Sequence, residues 1–193
     1  MIRPASISDR DDIIRILTQS FDTNPAVNDT VQVGKGREKR MQALMEYLVD
    51  TAYSKNGVYI TDDRLGATLM YDPVTHPNTF RDTLRQLRLV NRCIGWSKLN
   101  YASAKDKKMK SFRPTQPYYY LSMIGTIPDA QGKGIGSQMI SFIQEMSAAQ
   151  NKPIYLETSV LRNVEMYSKK GFTVHGDWKI RDDYYVRFMN WTK

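Results

Sequence analysis

Apolar positions along this chain recur with two periods, and each change of period marks an element. Near the N-terminus Ile2 predicts a short strand, and Ser8 with Asp11 predicts a cap before a helix bearing Ile13, Ile14 and Leu17. From Phe21 to Gly36, Asn24-Pro25, Asn28-Asp29 and two glycines break any period and predict an irregular loop. Met41, Leu44, Met45, Leu48 and Ala52 then fall on one face, predicting a helix over Arg37 to Ser54 that Asn56-Gly57 stops. Val58 to Thr61 and Leu65 to Tyr71 predict a hairpin turning at Asp62-Asp63-Arg64.

Beyond Pro77, Phe80, Leu84, Leu87 and Ile94 predict a basic amphipathic helix that buries these four residues, with Gly95 ending or bending it. Lys98 to Lys110 continues as helix or loop. Tyr118 to Ile127 is rich in aromatic and β-branched residues and predicts a strand, which Pro128-Asp129 breaks. Ile135, Met139, Ile143 and Met146 mark the helix that follows. Pro153 to Ser159 predicts a strand with Ile154, Leu156 and Thr158 facing one way and Tyr155, Glu157 and Ser159 the other. Asn163 predicts the cap of a short helix closed by Gly171, and Phe172 to Ile180 with Asp183 to Trp191 a last antiparallel pair. The order predicts one α+β domain over residues 1–193. Its central mixed sheet has about six to seven strands and flanking helices, with a helical insertion at about 78–112.

Charge changes this picture in one place. The chain of 193 residues carries a net charge of +8. The segment from Asn78 to Arg113 alone holds ten basic and two acidic residues. Such a patch attracts nucleic acid, an anionic membrane or a phosphorylated cofactor. Its apolar period predicts a docked helix that serves a small-molecule site as lid or wall, without a nucleic-acid partner. Cys93 is the sole cysteine, so no intrachain disulfide forms and a cytoplasmic setting is expected. No apolar run is long enough to span a membrane, and the first residues do not read as a signal peptide. Two separated histidines, His76 and His175, predict no metal site and read as structural or solvated.

The candidate chemistry lies in Gln131-Gly-Lys-Gly-Ile-Gly136. Strand, glycine turn and helix N-terminus together make a nest of free amides that suits an anion. A dinucleotide fingerprint is one reading, with Glu157 as a ribose-binding acid. However, the spacing is GxGxG, and Pro128 to Gln131 separates strand from glycines. A P-loop lacks its Lys-Ser/Thr pair. A plain flexible turn and a site for the pyrophosphate of coenzyme A complete the alternatives.

Gln131, Gly134 and Gly136 fill the fixed places of Gln/Arg-x-x-Gly-x-Gly/Ala, so the stretch resembles the GNAT superfamily of N-acetyltransferases. Ile124-Gly125-Thr126-Ile127-Pro128 before it, Leu156-Glu157-Thr158-Ser159 after it, and Asn163, Tyr167, Gly171 and Phe172 look most like the puromycin N-acetyltransferase branch. The close resemblance covers about Tyr119 to Ile180. It implies acetyl-CoA as cofactor, with Met123, Ile124, Gly125 and Thr126 beside the pantetheine arm. It also implies that Gln131, Gly132, Lys133, Gly134, Ile135, Gly136 and Ser137 hold the pyrophosphate, and that Asn163 contacts the cofactor. Tyr167 is implied as general acid near the sulfur, and Glu157 as a candidate base near the acceptor. Cys93 reads as core, and Tyr71 and Trp96 as candidate aromatic walls. The resemblance implies direct attack by a primary amine of a small molecule. A protein or peptide amine is the alternative, and a non-catalytic coenzyme A-binding or basic nucleic-acid-binding protein the second. A monomer or homodimer is expected.

Overall fold

In the computed structural model, which describes residues 1–31 and 34–193, the chain begins with β1 (Ile2–Pro4), α1 (Arg10–Ser20), α2 (Pro25–Val31) and α3 (Arg37–Tyr53). The hairpin β2 (Val58–Thr61) and β3 (Gly66–Tyr71) leads into α4 (Phe80–Leu89) and α5 (Leu99–Lys110). Then come β4 (Tyr119–Thr126), α6 (Ile135–Ala149), β5 (Ile154–Thr158) and α7 (Leu161–Lys169), and β6 (Thr173–Arg181) with β7 (Tyr184–Trp191) closes the chain. The seven strands stand in the order β1-β2-β3-β4-β5-β7-β6. Every neighbouring pair is antiparallel except β4 and β5. This is the mixed α+β sheet that the sequence pattern predicts.

Alternation along the strands sends side chains to two cores. Ile60, Leu69 and Met123 meet Ile13, Leu17, Met41 and Met45 from α1 and α3 on one face. Leu121, Ile154 and Leu156 meet Ile140, Ile143 and Tyr167 from α6 and α7 on the other. Between them β4 is irregular. Leu69 pairs with Met123 but the next residue, Met70, pairs with Leu121, so Ser122 forms a bulge. A bulge bends its strand, and here the bend coincides with a parting of strands. Parallel pairing with β5 ends at Leu121–Leu156, and the rest of β4 follows β3 alone. That splay opens a gap at the C-terminal end of β4.

Several elements differ from the sequence expectation. The first cap is Ser6, whose N–H and hydroxyl donate to Asp9 Oδ2 at 2.9 and 2.8 Å, two residues before the predicted position. Part of the predicted loop from Phe21 is α2: Asn24 Oδ1 accepts from the N–H of Ala26 at 2.9 Å and Val27 at 3.3 Å. Pro25 fits the first helical position, which needs no donor. Gln32 and Val33, in the same predicted loop, lie outside the described residues. Asn163 is not a cap, because α7 starts at Leu161 after an extended Val160.

The largest correction concerns α4. Phe80, Leu84 and Leu87, predicted to be buried, are 77%, 41% and 48% exposed, and only Ile94 of the four is partly covered. The helix instead buries Asp82 and Leu89, followed by Val90 and Cys93 in a π-helical turn. Asp82 anchors that face, accepting from the Thr79 N–H at 2.7 Å and hydroxyl at 2.8 Å and pairing with Arg85 at 2.6 Å.

Asp29 on α2 ties α5 to the rest. Its carboxylate accepts from Lys105 at 2.6 Å, Tyr101 at 3.3 Å and Arg181 at 2.5 Å. Burial alone would raise its pKa, but Lys105 and Arg181 outweigh that and hold it below the usual carboxylate range. A depressed folded-state pKa adds stability above the unfolded value of about 4 that fades as pH falls through the folded one. Asp29→Asn is expected to cost roughly 2 kcal/mol at pH 7 and clearly less near pH 3. Thermal unfolding across that range reads both. An equal loss at both pH values contradicts the ionic assignment.

Candidate active site

The gap left by the splay of β4 from β5 widens into a cleft of about 940 Å³. Its floor follows from the chain's order. Pro128–Ala130 makes one 3₁₀ turn, and the chain then reverses through Gly132 and Gly134, at φ +80° and +81°. Only glycine takes that conformation readily. Gly134 caps α6 with no side-chain hydrogen bond. The N–H groups of Ile135, Gly136 and Ser137 therefore belong to a first turn with no intrahelical acceptor, at the positive end of the helix. A Cβ on Gly136 would meet nothing within 4 Å beyond its chain neighbours and its own helix backbone, so the space beside these amides is open.

The walls come from three elements. Ile124, Gly125 and Thr126 supply the β4 side, and Ser159, Asn163, Met166 and Tyr167 the α7 side. Ser20, Phe21 and Asn24 close the far end. Gly125 permits that last approach, because an ideal Cβ there would stand 2.6 Å from Ser20 Oγ. Arg162, Lys169 and Lys170, against the single acid Glu165, leave the α7 wall net positive. Tyr167 is buried, its ring 5.3 Å from Phe172, and burial alone raises its phenol above the ordinary value. Among the described residues its hydroxyl has no hydrogen-bond partner. The phenol is thus protonated at any working pH and free to donate.

The sequence-predicted residues do not all meet here. Ile124, Gly125, Thr126, Gln131, Gly132, Gly134, Ile135, Gly136, Ser137, Asn163 and Tyr167 line the cleft. Met123 has its side chain in the core beside α1 and α3, so only its backbone can serve an arm lying along β4. Lys133 is exposed and outside the cleft walls. Tyr71 and Trp96 stand away from it, Trp96 being 62% exposed, and no residue of the insertion lines it. Cys93 is buried and its thiol pushed up to about 11 by that burial, which suits a packing role. His76 and His175 also lie outside the cleft. Among the described residues no cluster could hold a metal ion.

Glu157 has partners that its sequence position hid. Oε1 accepts from Arg113 Nε at 2.9 Å and Oε2 from the Tyr120 hydroxyl at 3.1 Å. Arg113 lies over the Tyr120 ring, 4.1 Å from its centroid. Burial would lower the Arg113 pKa, but Tyr120 and Glu157 outweigh it and keep the guanidinium charged. The carboxylate is therefore engaged and does not line the cleft. Glu157→Gln leaves Arg113 buried without its counter-ion, an expected cost of about 3 kcal/mol. At this chain length that lowers the melting temperature by roughly 6–12 °C. Calorimetric melting checks it; a change under about 2 °C would show the pair to be dispensable for stability.

The acetyltransferase (GNAT) domain model matches residues 91–174, from within the insertion into β6. A solved structure from Corynebacterium glutamicum, described as histone acetyltransferase HPA2 and related acetyltransferase, is 22% identical. It aligns over 98% of this chain and 94% of that one with a TM-score of 0.73. The C-terminal condensation domain of Ebony, in complex with beta-alanyl-dopamine, is 11% identical over 100% and 98%, with a TM-score of 0.69. Arylalkylamine N-acetyltransferase 2 from Aedes aegypti is 13% identical over 100% and 98%, with a TM-score of 0.66. The chain has the fold of these acetyltransferases.

Proposed function

We propose that this protein is an acetyl-CoA-dependent N-acetyltransferase acting on a primary amine of a small molecule. One observation carries the reading: the strands that part around the cleft lead directly to an uncapped helix N-terminus behind two left-handed glycines. Acetyl-CoA, when bound, supplies an acetyl group activated as a thioester. The amides of Ile135, Gly136 and Ser137 would hold its pyrophosphate, and the rim of Arg162, Lys169 and Lys170 would add charge. The backbone of β4 beyond Leu121, released from β5, would offer hydrogen bonds to the pantetheine arm. Tyr167 would hold at its hydroxyl the proton that a departing thiolate needs.

Glu157, tied to Arg113 and Tyr120, is better read as a structural ion pair. Glu165, on the α7 wall with Tyr167, is the carboxylate among the described cleft-lining residues, and the amine proton would leave through water or to it. The likeness of Leu156 to Ser159 and of Asn163 to Phe172 to the puromycin N-acetyltransferase branch supports a small-molecule amine. The test is a screen of aryl- and alkylamines, aminonucleosides and peptide N-termini against acetyl-CoA, read by free thiol release. Turnover on a small amine supports the reading. Turnover on peptides alone would replace its acceptor class, and thiol release without an N-acetyl product would overturn transfer itself.

A further inference from the structure

The face of α4 that sequence periodicity predicts as buried is the molecule's conspicuous unpartnered surface. Phe80, Leu84 and Leu87 repeat at i, i+4 and i+7, so they form one stripe along about two turns. The stripe points outward by construction, since Asp82 and Leu89 occupy the opposite side and the Asp82 capping box fixes the helix's rotation. Ser54 at the end of α3 adds a further bond to Asp82 at 3.4 Å. Arg81 and Arg88 border the stripe on a single flank, one helical step past Phe80 and Leu87. Among the described residues neither has an ion-pair partner, whereas Arg85 and Arg92 are paired with Asp82 at 2.6 Å and Glu46 at 2.7 Å. The single acid of α4, Asp82, is buried and spent on its own cap.

We propose that this stripe docks the protein on an anionic lipid surface. Apolar anchors on one side of a short helix, edged by free arginines, are what an interfacial helix needs. A protein partner fits less well, because a specific interface covers about 800 Å² on each side and this stripe offers three large side chains. A second copy fits less well again, since two-fold pairing sets the same basic segment against itself. The helix lies on the surface and does not span, for among the described residues no helix is long and apolar enough to cross a membrane. Its position also leaves the cleft free. The first turn of α4 lies at the α3 C-terminus, where Ser54 reaches Asp82, beside the start of β2, while the cleft opens at the opposite end of the sheet, where β4 ends at Thr126.

The test is co-sedimentation of the full chain with vesicles of phosphatidylcholine alone or with about 30% phosphatidylserine. The expected result is at least roughly tenfold stronger partition onto the anionic vesicles, weakening as salt rises. The triple variant Phe80→Ser, Leu84→Ser and Leu87→Ser should lose about tenfold or more. Arg81→Gln with Arg88→Gln should lose about twenty-fivefold on anionic vesicles and little on neutral ones, each arginine near such a surface contributing about fivefold. Unchanged melting temperatures confirm that these exposed substitutions leave the fold intact. Equal recovery from both vesicle types, or anionic binding that neither variant weakens, would overturn the proposal. So would a self-associated species in sedimentation velocity that the serine variant dissolves while vesicles stay unbound.

Discussion

Tyr167→Phe lowers kcat for acetyl transfer by about a hundredfold or more while coenzyme A affinity changes less than about threefold. The substitution removes one oxygen from a ring packed among Leu121, Ile140, Ile143 and Phe172, so the cleft wall keeps its shape. That oxygen has no protein partner among the described residues, and its loss leaves no buried group stranded. Only a step that needs the proton should suffer. The phenol's raised pKa carries a further consequence: no loss of activity on the alkaline side up to about pH 10 should trace to Tyr167. Steady-state kinetics on an acceptor from the screen, with calorimetry for the cofactor, separate the two effects. Equal kcat for the phenylalanine variant removes Tyr167 from the chemistry.

Gly136→Val raises the dissociation constant for acetyl-CoA at least about a hundredfold, or roughly 2.7 kcal/mol. A Cβ there meets nothing within 4 Å beyond its chain neighbours and its own helix backbone, so steric damage to the fold is small. Its backbone is not in the left-handed region, unlike Gly132 and Gly134, and valine inside a helix is no worse than glycine. The variant should therefore melt within about 2 °C of the parent while losing the cofactor. Retained affinity would place the pyrophosphate elsewhere.

The sheet was legible because its signals are local. Alternation in Ile154 to Ser159 and the break at Pro128-Asp129 needed no partner to be read, and β4, β5 and the start of α6 follow them. The glycine turn was legible for the same reason. The loop from Phe21 concealed α2 although Asn24-Pro25 carried a helix-start signature: the residues that interrupt one helix were also the cap and first position of the next. At α4 the period correctly gave an amphipathic helix. Periodicity names a stripe without saying what lies against it, and α3 meets the Asp82–Leu89 side instead. The Glu157–Arg113 pair joins residues 44 apart, a distance no motif spans. The rim of Arg162 and Lys169 at i and i+7, with Met166 between them, was present in the spacing but resembled an ordinary solvated face.

The central claim is that the uncapped start of α6 holds the pyrophosphate of an acetyl donor in the gap between β4 and β5. Calorimetric titration of the purified chain with acetyl-CoA, and separately with NAD, tests it most directly. The account predicts micromolar or tighter binding of acetyl-CoA, about −8 kcal/mol, reduced at least about a hundredfold by Gly136→Val, and no heat with NAD. Binding of NAD in preference, or of neither ligand, would contradict it.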